Sequence, residues 1–341
     1  MRKLALGLTS CVLLAACGGG GTGGGGITVV PGGATPTPTP TATPTPTPTP
    51  ATAALNTGEI KPTADATFIA ATMEMTTTGG ATNQLSGETT GGTTADRSVV
   101  LDTPGFTGSY GSTTGYRLAD FINNVTFGPA QLTSDTTATD KTYPTVLFTR
   151  FAAPSEDYLA LYKVLITTSS ILGSGSIEPK YGGIGGWQHT VAGSGSRRTR
   201  LDYFAFGPAT PVSAMPHSGV VKFSLTGSGN FARDTDLYFT NHLDTITVDF
   251  GAGTISGTIT SGGRNFYTGG FGGLYGVDLA GAIAGNSVTG ATRSTVAVAT
   301  GQFRLLFIGP NADELIVTYV GQDGRGTYVG SSVGIRNPFL T

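Results

Sequence analysis

Gly330-Ser331-Ser332-Val333-Gly334 matches G-x-S-x-G, the pattern that can set a nucleophilic serine on a sharp strand-to-helix turn. That fold order needs an acid and a histidine after the serine, but the three histidines, His189, His217 and His242, all precede Ser332. The segment reads instead as a glycine-rich strand end without chemistry, and no catalytic residue is assigned. The histidines show neither H-x-H nor H-x-x-x-H spacing, so no metal site is assigned either. Gly269-Gly270-Phe271-Gly272-Gly273 has the glycine content of a phosphate-binding loop. It runs into Tyr275-Gly276-Val277-Asp278-Leu279, which alternates as a strand and offers no helix N-terminus to an anion. With no converging acid, base, nucleophile or metal set, neither enzyme activity nor a cofactor is expected.

Two stretches have recognition chemistry instead. Arg197-Arg198-Thr199-Arg200 is the one basic cluster of the folded part. It suits an acidic partner or lipopolysaccharide, and equally a solvated strand end. Tyr181 and Trp187, the only tryptophan, lie in the glycine-rich YGGIGGWQH. On a mobile loop these aromatics would serve protein recognition; as core residues they would tie two parts of the chain together. Tyr181, Trp187, Arg197, Arg198 and Arg200 therefore form the candidate ligand-binding set. Charged residues are only 12% of the chain and the formal net charge is -2, so there is no basic excess to neutralise phosphates, which argues against nucleic acid.

The elements that must position these residues are strands. The 341-residue chain contains 54 glycines and 19 prolines, the composition of an all-β protein with short strands and many turns. Its start reads as a lipoprotein signal peptide over 1–16. Arg2 and Lys3 precede an apolar run, Leu4 to Leu14, too short to span a bilayer, and then Leu14-Ala15-Ala16-Cys17. That string resembles the lipobox of bacterial lipoproteins, in which the cysteine carries the lipid. Gly18 after it favours sorting to the outer membrane. Several acyl chains on Cys17 would anchor stably where one is marginal. Cys11 leaves with the signal, so the folded part has no thiol or disulfide. Residues 17–57 form anchor and linker, a glycine coil followed by a Thr-Pro tract, Thr35 to Pro50. At about 3 Å per residue in extended polyproline-like form, the tract reaches on the order of 50 Å.

Residues 213–341 read as the clearer domain. Val221, Phe223 and Leu225 share one face; so do Ile246, Val248 and Phe250, then Ile255 and Ile259, then Val277, Leu279 and Ile283. The period of two continues through Val296 and Val298, Phe303, Leu305 and Phe307, Val317 and Tyr319, and a segment around Tyr328. About eight strands with short connections predict a closed antiparallel up-and-down barrel. Large inward rings predict a filled interior. Residues 58–212 are less regular and read as a smaller β domain. Its candidate strands are Ala66 to Met75, Asp120 to Phe127, Thr145 to Phe151 and Tyr158 to Ile166.

Four short strings carry a resemblance. Phe307-Ile308-Gly309-Pro310-Asn311-Ala312-Asp313-Glu314-Leu315 resembles Gly-Pro-x-Ala-x-Glu in the barrels of transferrin-binding protein B and its relatives. Val248-Asp249-Phe250 with Ile255-Ser256-Gly257-Thr258 is similar to that barrel's Asp-Phe hairpin. Phe206-Gly207-Pro208-Ala209-Thr210 and Met215-Pro216-His217-Ser218-Gly219 resemble the approach to the barrel and its entry. Order and spacing agree over roughly 203–336. The resemblance implies a handle-like β domain followed by an eight-stranded antiparallel up-and-down β-barrel, single-lobed, on a lipid-anchored outer-membrane protein facing the cell exterior. It further implies an extracellular protein ligand, with nutrient or iron acquisition as the setting. The alternative is a lipocalin-like binder of a small apolar or haem-like molecule inside the barrel.

If Cys17 is the anchor, Cys17→Ser moves the protein from the membrane pellet to the soluble fraction with unchanged β-type circular dichroism. A variant that stays in the pellet shows that something else holds it.

Overall fold

The computed structural model describes residues 60–78, 93–135, 145–170, 173–233, 236–265, 268–294, 299–323 and 326–337. The signal peptide, Cys17 and the linker lie outside the described residues, as do Val296 and Val298. The described chain is all β. The handle strands are β1 (Ala66–Thr78), β2 (Thr93–Leu101), β3 (Thr107–Gly111), β4 (Gly115–Ala119), β5 (Asn124–Phe127), β6 (Leu132–Asp135), β7 (Thr145–Ala152), β8 (Ser155–Tyr162), β9 (Ile166–Ser170), β10 (Gly173–Ile177), β11 (Gly183–Ala192) and β12 (Ser196–Pro208). Seven form one antiparallel sheet in the order β2-β1-β12-β11-β8-β7-β6, while β3-β4-β5 form a small second sheet and β9-β10 a hairpin.

The barrel follows with β13 (Val220–Arg233), β14 (Asp236–Asp249), β15 (Thr254–Asn265), β16 (Phe271–Ala284), β17 (Ser287–Ser294), β18 (Ala299–Ile308), β19 (Glu314–Asp323) and β20 (Gly326–Arg336). Each pairs with the next, and β13 pairs with β20 to close the ring. The interior is packed rather than cup-like. Phe223, Leu225, Ile246, Val248, Phe303, Leu305 and Phe307 are completely buried in one cluster. At eight strands, side chains of this size fill the available bore.

The three layers explain the sequence GQFRLLFIGPNADELIVTYV. One face of β18 and β19 looks into the barrel through Phe303, Leu305, Leu315 and Val317. The other looks outward and is covered by the handle. Leu306, Ile308, Ile316 and Val333 pack on Ile69, Ile184 and Ala205. Higher up, Val320 and Val329 meet Met73, Met75, Leu201 and Tyr203. Strands buried on both faces lose the polar half of their alternation. The handle sheet's opposite face packs Trp187, Phe204, Phe206 and Leu159 against Tyr116, Leu118 and Phe127 of the small sheet.

Several local expectations are corrected. Asp120 to Phe127 is not one strand, because the Asp120 carboxylate accepts the backbone N–H groups of Ile122 and Asn123, both at 2.6 Å, and folds the chain into the β4–β5 turn. Tyr158 to Ile166 divides between β8 and β9. YGGIGGWQH is no mobile loop: Gly183 onward is β11, in the interior of the seven-stranded sheet. A barrel strand over Ser287–Ser294 went unforeseen, and the expectation placed on Val296 and Val298 lies outside the described residues.

Phe303→Ala is expected to cost roughly 3–5 kcal/mol in denaturant melts, the range for emptying a buried aromatic site. Its neighbour Arg304 faces out and pairs with exposed Asp102 at 2.9 Å, so Arg304→Ala should cost about 1 kcal/mol or less. The reverse ranking would place the strand one residue out of register.

Candidate functional site

Register gathers the arginine segment into a charged row. Glu74, Arg200, His189, Asp157 and Arg150 stand opposite one another on β1, β12, β11, β8 and β7. Their signs largely alternate across the sheet, the favourable arrangement for cross-strand neighbours. Asp157 is fully buried. It accepts the Trp187 indole N–H at 3.2 Å and an Arg150 N–H at 3.2 Å, and its carboxylate lies 2.7 Å from His189 Nδ1. Arg200 reaches Asp202 at 3.1 Å, Asp120 at 3.4 Å and Glu74 at 3.9 Å. Arg198 pairs with Glu74 at 2.7 Å and Arg197 with Glu156 at 2.6 Å. Of the three arginines, Arg198 is the exposed one, its side chain 67% accessible against 19% for Arg197 and 12% for Arg200. Trp187 is fully buried in the handle core with its N–H committed. Its place on a central strand, not a loop, takes it away from the surface.

Beside the row, the β4–β5 turn presents Phe121, 85% accessible, and Ile122, 68% accessible. The turn is braced. Asp120 caps it and bonds Arg200, and the Phe121 N–H donates to the Pro104 carbonyl at 3.1 Å. A large apolar pair held out on a fixed turn, with Arg198 across the network, is the kind of feature that anchors a protein partner. The sequence reading missed it because it merged the turn into a strand.

Tyr181 lies elsewhere, at the joint of handle and barrel. Its ring packs on Gly309, where a Cβ would approach to 2.8 Å. Gly309 also has φ +82°, a left-handed conformation that glycine adopts without steric cost. Glu314, just past this turn, accepts the N–H groups of Lys180, Tyr181 and Gly182 at 2.6, 3.0 and 2.9 Å. Thr210 bonds the Gly309 carbonyl at 2.7 Å, and the Gly309 N–H donates to the Pro208 carbonyl at 3.0 Å. Phe250 lies 5.6 Å, ring to ring, from Phe307, its N–H donates to the Gly219 carbonyl, and Met215 is buried in the barrel core. All four strings of the resemblance thus converge on one end of the barrel, where they build a joint.

Ser332 also has a structural answer. Its Oγ lies 2.9 Å from His242 Nε2, and His242 Nδ1 lies 2.9 Å from Asp244 Oδ2. The order is that of a hydrolase triad. Ser332, however, is completely buried in mid-strand, paired on both sides by β13 and β19. The motif glycines make room for neighbours: a Cβ on Gly330 would come within 2.4 Å of the Tyr319 hydroxyl, and one on Gly334 within 2.9 Å of Leu315. The group belongs to a polar layer across the barrel, continued by Thr240, Tyr275, Tyr319, Thr292 and Tyr328. Among the described residues no group of three or more His, Cys, Asp or Glu side chains has metal-binding geometry.

Residues 215–335 match the family model of the C-lobe and N-lobe beta barrels of Tf-binding protein B. No curated protein matches the chain. Among solved structures, HpuA from Kingella denitrificans in complex with human haemoglobin is 14% identical, with 85% of this chain and 95% of that chain covered and a TM-score of 0.36. Transferrin binding protein B from Haemophilus parasuis is 12% identical, with 81% and 77% covered and a TM-score of 0.35. The N-lobe of lactoferrin binding protein B from Moraxella bovis is 10% identical, with 78% and 99% covered and a TM-score of 0.34.

The charged row yields a pH test. Burial pushes the Asp202 carboxyl up to about 6 from 3.8, against the opposing pull of Arg200 and Thr72. A carboxyl raised on folding binds more protons in the native state. Its stabilising contribution is full below about pH 4 and is lost as pH rises through about 6, at most about 3 kcal/mol. Asp202→Asn should therefore gain stability relative to the parent between pH 4.5 and pH 7.5 in urea melts. Parallel curves for the two proteins would contradict this.

Proposed function

We propose that this protein, whose C-terminal barrel is of the Tf-binding protein B type, is a lipid-anchored outer-membrane receptor that captures an extracellular protein in iron or nutrient acquisition. The family match over residues 215–335 carries the reading. The lipobox at Cys17 and the Thr-Pro spacer support it, since a tether on the order of 50 Å would hold the domains clear of the bilayer. The packed barrel interior supports recognition by outer surfaces over a ligand held in the bore. The similar proteins are named for haemoglobin, transferrin and lactoferrin binding, and this sets the class of partner to try.

Within this reading the contact surface is the row end of the handle. Phe121 and Ile122 form its apolar anchor. Arg198 supplies exposed positive charge, and Arg197 and Arg200 hold the carboxylates that fix the geometry. Tyr181 and Trp187 act in it as structural residues, through the joint and the handle core.

Two measurements test this. Protease added to intact cells should degrade the domain, and full survival until lysis argues against external display. In surface plasmon resonance against haemoglobin, transferrin and lactoferrin, one should bind, and Phe121→Asp should weaken it at least about tenfold with the melting temperature unchanged. A partner bound equally by both proteins moves the contact elsewhere, and no binding to any of the three removes this class of partner.

A further inference from the structure

At the joint end, opposite in chain direction to the arginine row, the handle and barrel enclose a cleft of about 670 Å³. Its walls come from the chain entering β11 (Lys180, Tyr181), the start of β13 (Val220 to Lys222), the acidic end of the β18–β19 turn, and the end of β20 (Ile335 to Asn337). The volume is that of clefts that hold organic small molecules.

The charges around it are unevenly committed. Glu314 is occupied by three backbone N–H groups, and Glu178 pairs with Lys163 at 3.4 Å. Lys180, Lys222 and Arg336 form no ion pair among the described residues, whereas most other described arginines and lysines are partnered. Among the described residues lining the cleft, Asp313 is the carboxylate left to oppose them, on the Tyr181 side, where it helps raise the Tyr181 hydroxyl after the larger effect of burial. Lys222 lies on the outer side of the barrel wall, whereas Arg336, paired with inward-facing Phe223, lies on its inner side at the mouth. The Asn337 N–H donates to the Lys222 carbonyl at 2.9 Å and the Arg336 N–H to the Asp313 carbonyl at 3.0 Å, so the β13 and β20 ends are pinned side by side. Between the charges the lining is aliphatic, with Ile177 and Ile335, and with Val220 63% accessible at the rim.

We propose that this cleft is a binding site for a small organic dianion, two carboxylate or phosphate groups carried on an apolar body. One anionic group meets Lys222 of the barrel and the other Lys180 of the handle. The body covers the aliphatic floor, where it removes apolar surface from water. Charge-assisted hydrogen bonds to the anionic ends fix its orientation. The site is independent of the partner surface proposed above, since the two share no residue.

Decanedioate, a ten-carbon dicarboxylate, serves as the probe in isothermal titration calorimetry with the whole folded chain. It should bind saturably, one per chain. Its dimethyl ester, which lacks the charges, and inorganic pyrophosphate, which lacks the body, should each bind at least about tenfold more weakly. Lys180→Gln and Lys222→Gln, both outside the core, should each weaken decanedioate about tenfold with melting temperatures unchanged. Asp313→Asn, which removes an opposing charge, should tighten it. Absence of saturable binding, equal binding of the ester, or indifference to the Lys180 and Lys222 substitutions overturns the proposal.

Discussion

The arrangement of this protein depends on one carboxylate. Glu314 is 3% exposed, and a buried unpaired charge at that depth would be strongly destabilising. Three consecutive handle N–H groups, from Lys180 to Gly182, converge on its two oxygens. Burial pushes its pKa up, and the three bonds offset part of that rise. Hydrogen bonds to charged groups are each worth about 1.5–3 kcal/mol, against desolvation of similar order. The interaction is therefore more a device of position than of net stability. It fixes where β11 begins and, through β11, where the seven-stranded sheet lies on the barrel wall.

From that fixed point the rest follows by packing. With the joint set, Ile69, Ile184 and Ala205 fall against Ile308, Ile316 and Val333, and Met73 and Leu201 against Val320 and Val329. The far end of the same sheet then carries the charged row and the braced Phe121–Ile122 turn. Gly309, Glu314 and Thr210 serve the joint.

The barrel was legible in the sequence where its inward positions are apolar: Phe223, Ile246, Leu279, Phe303 and Val317 all face the core as their alternation indicates. It was illegible where a large ring from a neighbour replaces the local side chain. Gly290 on β17 faces inward with no side chain because the Phe303 ring occupies its place, so the strand shows little apolar alternation. The same effect disguised β11. A Cβ on Gly183 or Gly185 would come within 2.4 or 2.5 Å of the rings of Phe206 and Phe204, and the glycines that permit this contact read as loop. The arginine row and the triad-like group escaped notice for a different reason. Their members lie as much as 126 residues apart, from Glu74 to Arg200, and only strand register brings them together.

The chain's entry point also has a mechanical meaning. The described chain begins at Ile60, whose carbonyl accepts the Tyr116 hydroxyl, and continues into β1, matched to β12 from Ala66↔Pro208 to Thr78↔Ser196. Traction applied through the N-terminal segment therefore arrives at the handle first and reaches the barrel only across their shared apolar wall. A pulled molecule would begin to yield in the handle core, by losing the Ile60 contact, while the barrel ring stayed closed.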